Sequence, residues 1–358
     1  MKKKPEILLV YPVENDPQSE IMYEEILNKG GNPVMLPFKL VDGKEETKLS
    51  IRKDHLKING KTHNIKAVFL RGVSVDTPVS IPPYLSYFEA KVWEAKFIKE
   101  NDRIYFIDSM LKYLENNNAL VVNPVSKYLH HNTKTAMFYF LRQHGISVPA
   151  TFSTNYSVFL NKKLKITNYV VKAGTGIGAT RKLNKNTKVN SRELIKTPGL
   201  FQEEIKGSTI RIHTVGEKVV LALKIIAGGL DSRTDTKGFT AVELQEQHKN
   251  EIIRANKLVG IHFSAWDAII DEDDKIYLLD CNPGPYIFWI GEHFTRLVLA
   301  EAAKFLIAYT QNNSLEEAYE AVSEIKPEFG SVNKIDDDIS NHIDYIAYKL
   351  KQNSRLRF

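Results

Sequence analysis

Two patterns of apolar and polar residues divide this chain of 358 residues. Over residues 1–125, short apolar runs such as "EILLVYP" and "ALVVNP" are separated by segments with helical spacing, for example "SEIMYEEILNKGG". Strands that alternate with helices are typical of an open α/β sheet. This part also contains an alternating stretch that turns at Asn59-Gly60, which predicts a hairpin, and helical patterns at about 84–100 and 107–116.

The pattern changes after residue 125. We expect a helix from an N-cap near Asn132 to Gly145 and an extended connector in "ISVPATFSTN". A strand, a glycine-rich loop and a second strand follow in "NYVVKAGTGIGATRKLN". From Leu200 onward, strands joined mostly by short turns predict an α+β region with a mostly antiparallel sheet. The segments "SLEEAYEAVSEI" and "DDDISNHIDYIAYKLKQN" near the C-terminus predict helices. The predicted parts are an N-terminal α/β domain (1–125), a central subdomain (126–198), a second α+β subdomain (199–311) and a helical tail (312–358).

Composition and charge narrow the classes of function. Hydrophobic residues make up 43% and charged residues 26% of the chain, which is ordinary globular usage. The net charge is +6, but the lysines are scattered without an aromatic-interleaved basic block, which favours a solvated surface over a nucleic-acid partner. A single cysteine and the absence of a run of about 20 apolar residues favour a cytoplasmic protein without a membrane span. The sequence leaves the oligomeric state open, with a homo-oligomer as one option.

The stretch "IYLLDCNPGP" ends a predicted strand with Asp280 and Asn282, which point to the same face because alternate strand residues do so. Asp267 lies on the preceding strand, and the turn "DEDDK" makes the two strands a hairpin. Two carboxylates and one amide oxygen suit Mg²⁺, with water and phosphate oxygens completing its shell. The alternative is that Asp280 and Asn282 only form the turn before Pro283. Cys281, between them, is predicted to pack in the core.

Two further features suggest nucleotide binding. The loop after Lys172 contains Gly174, Gly176 and Gly178, and it lacks the Gly-Lys-Ser/Thr ending of a P-loop. Its backbone N–H groups could cover phosphates while Lys172 adds a charge; the alternative is an ordinary hairpin loop.

The strand "LFQEEI" ends in Glu203, Glu204 and Ile205, which could form a hinge for adenine and ribose or simply a solvated face. His213, inside the strand "STIRIHTVG", is predicted to be structural.

The order and spacing of these motifs resemble those of the ATP-grasp superfamily of carboxylate–amine ligases. The matching motifs are a helix lysine (Lys134), the strand lysine with its glycine loop, and then "QEEI", "IRIHTVG", "SAWDAII" and "LDCNPGP", over roughly residues 125–310. The segments "FQEEI", "IRIHTVG" and "NPGPYIFWI" are most similar to the branch that contains ribosomal-protein glutamate ligases and the microviridin-type peptide-cyclising ligases, the graspetide synthetases. The resemblance implies an ATP-grasp fold in which the nucleotide lies between two α+β subdomains.

The resemblance also implies a role for each group of residues. Lys134 and Lys172 would bind ATP phosphates, the loop 174–178 would close over them, and residues 203–205 would hold adenine and ribose. Asp267, Asp280 and Asn282 would hold Mg²⁺. Arg211 and Arg233 match arginines that lie near an acyl-phosphate.

The implied function is an ATP-dependent ligase that activates a carboxylate as an acyl-phosphate and joins it to a hydroxyl or an amine. The substrate would be an acidic precursor peptide or a small carboxylate, and the leading expectation is ω-ester or ω-amide crosslinks in a ribosomally made peptide. The alternatives are a ligase that adds an amino acid to a peptide, protein or small molecule, and a non-catalytic ATP-binding module.

Overall fold

The structure is a computed structural model that describes residues 4–12, 16–38, 40–42, 45–52, 55–71, 86–124, 126–127, 133–172, 181–187, 194, 199–227, 236–326 and 333–334. The chain divides into two compact units, Met1–Val125 with Ala302–Ala321, and Ser126–Glu301 with Val322–Phe358. This partition assigns 302–321 to the first unit, whereas the sequence placed 302–311 in the second α+β subdomain. The finer division into four parts stays a prediction.

The first unit contains an open parallel sheet, as the alternation of strands and helices predicted. Its four strands have the order β2-β1-β8-β9 and are β1 Glu6–Tyr11, β2 Asn32–Pro37, β8 Ile65–Leu70 and β9 Leu120–Val122. Small antiparallel sheets lie between β2 and β8 in the sequence: β3 Val41–Asp42 with β4 Glu45–Glu46, and β5 Leu49–Arg52 with β6 His55–Ile58 and β7 Lys61–His63. The described helices that lie wholly within this unit are α1 Pro17–Asn28, α2 Tyr87–Asn116 and α7 Leu315–Glu320.

Among its described residues, the second unit contains two sheets whose strand pairs are all antiparallel. The smaller sheet has the order β10-β13-β11-β12, with β10 Thr151–Thr154, β11 Tyr169–Lys172, β12 Arg181–Leu183 and β13 Gly199–Glu203. The larger has the order β18-β17-β14-β15-β16-β19, with β14 Ser208–Val215, β15 Lys218–Ala227, β16 Thr236–Ala241, β17 Phe263–Ile270, β18 Ile276–Asn282 and β19 Asn333–Lys334. The helices of this unit whose bounds the structure describes are α3 Lys134–Gln143, α4 Ser157–Leu164 and α5 Glu246–Val259, with a 3-10 turn at Phe288–Ile290. Helix α6, Glu292–Asn312, begins in this unit and ends in the first.

Three local predictions differ from the structure. The two helical patterns at 84–100 and 107–116 belong to the single helix α2, because no glycine or proline interrupts the sequence between them. Helix α3 has Thr133 as its N-cap, without a side-chain capping bond, and Asn132 lies outside the described residues. The segment after Gly145, expected to be an extended connector, contains the regular strand β10.

The second predicted helix of the tail, in "DDDISNHIDYIAYKLKQN", also lies outside the described residues. Among the helices that the structure describes, none combines the length and the apolar character that crossing a membrane requires.

The larger sheet packs one face against helices. Its buried side chains on this face include Ile212, Trp266 and Cys281, and they share a core cluster with Phe138 of α3 and Ile252 of α5. The amphipathic pattern of α5 predicts this packing, and Gly260 ends the helix in the left-handed conformation at φ 71°. Residues that alternate with these core residues along the strands point to the opposite face of the sheet, where the polar side chains lie.

Candidate functional site

A row of charged side chains crosses three neighbouring strands of the larger sheet. Arg211 of β14 lies opposite Asp267 of β17, and Asp267 lies opposite Asp280 of β18. Arg211 Nη1 donates a hydrogen bond to Asp267 Oδ1 at 2.7 Å. The predicted hairpin therefore does bring the two carboxylates together, and a β-bulge follows directly after Asp267.

The row ends in a buried lysine from outside the sheet. Lys134 is the first residue of α3, and its Nζ donates to Asp280 Oδ2 at 2.5 Å. The Lys134 side chain is only 4% exposed, and a buried ammonium requires a charged or polar partner. The order of charges along the row is positive at Arg211, negative at the two aspartates and positive at Lys134.

Asn282 takes part in the turn that follows β18. Its Oδ1 accepts a hydrogen bond from the Gly284 N–H at 3.1 Å, so the turn-forming alternative describes a real contact. A carboxamide oxygen has two lone pairs, and one such bond leaves the second for another donor or a cation. The turn and a metal-binding role for Asn282 are therefore compatible.

Lys172 approaches the row from the smaller sheet. Its Nζ donates to Gln202 Oε1 at 2.8 Å and lies 3.4 Å from the backbone oxygen of Leu279, one residue before Asp280. Gln202 is 1% exposed and donates to Thr151 Oγ1 at 3.3 Å. The sequence analysis missed Gln202, although a polar residue within the apolar strand "GLFQE" was a signal for it.

The hinge predicted at 203–205 is partly committed to contacts within the protein. The N–H of Glu203 donates to the Ala150 oxygen at 2.9 Å, and the N–H of Glu204 donates to the Asn168 oxygen at 3.1 Å. The Glu204 carboxylate forms an ion pair with Lys182. A nucleotide base would therefore be bound here through carbonyl groups and through Ile205, rather than through these two N–H groups.

No family model and no curated protein matches the sequence. Solved structures do match the fold, and one is the ATP-grasp ligase PsnB complexed with precursor peptide PsnA2 and AMPPNP, with a TM-score of 0.71, 20% identity and coverage of 87% of this chain and 99% of that chain. The chain has the ATP-grasp fold.

Two other ATP-grasp matches have similar coverage. A Chryseobacterium gregarium RiPP-associated ATP-grasp ligase, in complex with ADP and a leader and core peptide, has a TM-score of 0.66 and 18% identity over 84% of this chain and 96% of that one. The macrocyclase MdnC from Microcystis aeruginosa MRC, bound with precursor peptide MdnA, has a TM-score of 0.63 and 18% identity over 84% and 99%. The similarity extends through the first unit as well as the second, beyond the range 125–310 in which the sequence motifs occur.

The donor set on this ATP-grasp sheet fits a hard divalent cation. Asp267 and Asp280 face each other, the Asp267 side chain is 40% exposed, and Asn282 lies two residues along the same strand face from Asp280. Within the described residues, no group of three or more His, Cys, Asp or Glu residues could hold a metal, so a site here must count the amide oxygen of Asn282. Such a partial oxygen set suits Mg²⁺, which usually keeps water and phosphate oxygens in its shell.

Two residues near the row of charges, Cys281 and His213, are buried and uncharged. Cys281 is 1% exposed on the apolar face, and burial and then the Asp280 charge raise its thiol pKa well above the usual value. His213 is fully buried, and burial and then the Arg211 charge lower its pKa well below the usual value, which keeps the imidazole neutral. Neither ring nitrogen of His213 has a hydrogen-bond partner among the described residues.

Four predicted site residues fall within the ranges 173–180 and 228–235. Gly174, Gly176, Gly178 and Arg233 lie outside the described residues. Their roles in closing over phosphates and in stabilising an acyl-phosphate stay predictions.

Proposed function

We propose that this protein is an ATP-dependent ligase that forms ester or amide crosslinks in an acidic, ribosomally made precursor peptide. The observation that carries the proposal is the row on one face of an ATP-grasp sheet in which the paired aspartates Asp267 and Asp280 lie between two cations, Arg211 and Lys134. Paired carboxylates flanked by cations provide oxygen ligands for a divalent ion and positive charge for phosphate at the same place.

Within this proposal the lysines bind the phosphates of ATP. Lys134 and Lys172 both reach β18, one at the side chain of Asp280 and the other at the Leu279 backbone oxygen. Asp267, Asp280 and Asn282 would hold Mg²⁺, which when bound withdraws electron density from the phosphate oxygens. Phosphate and cation together would replace the present ion pairs, so that each charged group in the row keeps an opposite partner.

The chemistry proceeds in two displacements. A substrate carboxylate oxygen attacks the γ-phosphorus of ATP in line, the bond to the β–γ bridging oxygen breaks, and ADP leaves. A hydroxyl or amine then attacks the acyl-phosphate carbonyl, loses its proton and expels phosphate. Arg211, and Arg233 if it reaches the same place, would stabilise the negative charge that develops on the carbonyl oxygen. The loop 174–178 would exclude water, which otherwise hydrolyses the acyl-phosphate.

The peptide substrate is inferred from charge and from the structural matches. A net charge of +6 favours the approach of an acidic peptide. PsnB and MdnC were each solved with a precursor peptide, and MdnC is a macrocyclase. These matches are at 20% identity or below, so they show the fold of this chain, and the peptide substrate is part of the proposal.

Mass spectrometry of a candidate acidic precursor, co-expressed with this protein, tests the proposal. Each ring closure should remove the mass of one water, and the Asp280→Asn variant should leave the peptide unmodified. A gain equal to an amino-acid residue would instead make the protein a ligase of the amino-acid-adding kind. An unchanged peptide mass together with ATP turnover on a free amino acid would reject the peptide substrate.

A further inference from the structure

Charge is distributed unevenly along the chain. Residues 116–192 contain twelve lysines and arginines and no aspartate or glutamate, so this stretch carries +12 and the remainder of the chain carries −6. Lysines occur throughout the sequence, and the asymmetry arises because acids are absent from this one stretch. It includes helix α4 and strands β10, β11 and β12 of the smaller sheet. A surface dominated by one sign of charge attracts partners of the opposite sign.

The two faces of the smaller sheet have different neighbours. Val171 of β11 shares a core cluster with Leu160 and Leu164 of α4. Lys172, the next residue along β11, points to the opposite face, where its Nζ donates to Gln202. Helix α4 therefore covers the face of the sheet that points away from the candidate nucleotide contacts.

The outer side of α4 is apolar and exposed. At 3.6 residues per turn, Val158, Phe159 and Ile166, together the α4 stripe, project away from the core that Leu160 enters. Their exposed fractions are 49%, 38% and 82%, and no described large apolar residue is more exposed than Ile166. Ile166 lies in the turn that continues the helix, since its N–H donates to the Lys163 oxygen at 3.0 Å. This apolar surface is one that the core of the subdomain does not use.

Lysines surround the α4 stripe. Lys162 is exposed on the same side of the helix, and Lys165 is exposed at one edge. Lys163 lies at the other edge, with its Nζ 5.6 Å from the centre of the Phe159 ring. The segment 155–168 contains no acidic residue. Apolar side chains with lysines on both sides are typical of a helix that lies in a membrane surface, where the lysines reach the lipid phosphates.

We propose that the α4 stripe and its three lysines bind the surface of an anionic lipid bilayer. Two of the three apolar side chains, Val158 and Ile166, are aliphatic, whereas a stacking platform for single-stranded nucleic acid uses aromatic rings. The stripe also projects from a helix instead of lining a groove, so it suits a flat and deformable surface. The lysines favour anionic over neutral lipids.

Such binding is peripheral and requires no membrane-spanning helix. Because α4 and Lys172 lie on opposite faces of the smaller sheet, contact of α4 with the bilayer leaves the nucleotide face directed away from the lipid. Membrane binding and nucleotide binding should therefore be separable by substitution.

Vesicle co-sedimentation of the full-length protein tests the proposal. The protein should bind vesicles of phosphatidylcholine and phosphatidylglycerol in equal parts, should not bind vesicles of phosphatidylcholine alone, and should be released by added salt. Ile166→Ser should raise the lipid concentration for half-maximal binding at least about fivefold, because an inserted apolar side chain is lost. Lys162→Gln should raise it about fivefold, since each lysine near an anionic surface contributes about that factor.

Matched controls come from the first unit. Leu27→Ser removes an aliphatic side chain that is 41% exposed, and Lys61→Gln removes the charge of an exposed lysine. Both should bind vesicles like wild type. Ile166→Ser and Lys162→Gln should retain wild-type nucleotide affinity, which also verifies their folding, whereas Lys172→Met should retain vesicle binding.

Three results would overturn the proposal. They are no binding to the anionic vesicles, equal binding to neutral vesicles, and vesicle binding that is unchanged in both α4 variants. Binding of a single-stranded oligonucleotide or an acidic peptide in place of vesicles, weakened by the same two substitutions, would assign the α4 stripe to that partner and reject the bilayer.

Discussion

The two faces of the six-stranded sheet are built from the same strands and have opposite properties. Ile212, Trp266 and Cys281 are at most 1% exposed in the core that includes α3 and α5. Their immediate neighbours Arg211 and Asp267 point the other way and pair at 2.7 Å. Arg211, Asp267 and Asp280 are thus each one position away from a residue of the core.

This alternation explains how the sheet carries charged side chains without placing them in the apolar core. Successive residues of a strand point to opposite faces of the sheet, so the same strand can supply charged groups to one face and apolar groups to the other. The same arrangement fixes the register, because a slip of one residue would move Asp267 and Asp280 into the apolar core. Substitutions on one face should therefore change activity, and substitutions on the other should change stability.

The largest expected effect is on the charged face. Asp280→Asn keeps the side-chain shape but removes the charge that pairs with Lys134 and would bind the cation. ADP formation should fall at least about 1000-fold, which corresponds to about 4 kcal/mol of transition-state stabilisation. The measurement is ADP release with a turnover substrate, with thermal unfolding recorded in parallel.

Glu272→Gln provides the control for Asp280→Asn, because Glu272 is exposed in the turn of the same hairpin. It removes a carboxylate charge close in sequence and should leave ADP formation within about twofold of wild type. Full activity in Asp280→Asn would contradict the metal-binding assignment and with it the division between the faces.

The apolar face should give the next largest effect, and on stability. Trp266 is fully buried and its Nε1 donates to Asn256 Oδ1 at 2.7 Å. Trp266→Ala should lower the free energy of unfolding by about 3 kcal/mol or more, because a cavity remains and Asn256 loses a donor. Denaturant unfolding measures this. A variant as stable as wild type would show that the core on this face is not what holds the sheet.

A smaller effect, on nucleotide affinity, is expected from a substitution in the smaller sheet of the second unit. Lys172→Met keeps much of the apolar stem and removes the charge that would bind phosphate. Nucleotide affinity should fall about 10-fold, or about 1.4 kcal/mol, in calorimetric titration. Lys165→Met is the control, since Lys165 is exposed at the end of α4. Equal losses in both variants would indicate a general effect of charge rather than a phosphate contact.

The sequence predicted the hairpin half of this site well. Strand alternation and a short acidic turn suffice to place Asp267 opposite Asp280, because both signals are local. The same locality explains the packing of Cys281. The ATP-grasp fold followed from motif order, which is a property of the whole domain rather than of any one strand.

Long-range contacts were beyond local patterns. Lys134 lies far from Asp280 in sequence, and nothing in its own helix indicates that partner; only the family resemblance selected it. Gln202 was missed because its polar contacts, to Lys172 and Thr151, come from other strands. The partners of the Glu203 and Glu204 N–H groups, the backbone oxygens of Ala150 and Asn168, were likewise invisible to a pattern along one strand.

His213 is the exception that sharpens the comparison, since it lies two residues from Arg211 and yet is fully buried and uncharged. Its pKa is lowered in the folded state, by burial first and then by Arg211. The unfolded chain, with a histidine pKa near ~6.5, therefore binds more protons than the folded chain below that pH. Stability due to this residue is present above about pH 6.5 and falls as the pH drops, by at most about 1.4 kcal/mol per pH unit.

The His213→Gln variant lacks this titrating group. The free energy of unfolding of this variant should therefore fall less between pH 7 and pH 5 than that of wild type. The variant His144→Gln, at an exposed position, should follow wild type. Burial also lowers the pKa of His262, and this histidine is present in all three proteins. The informative quantity is therefore the difference between their slopes of unfolding free energy against pH. Parallel slopes in wild type and His213→Gln would mean that the folded state does not lower the pKa of His213.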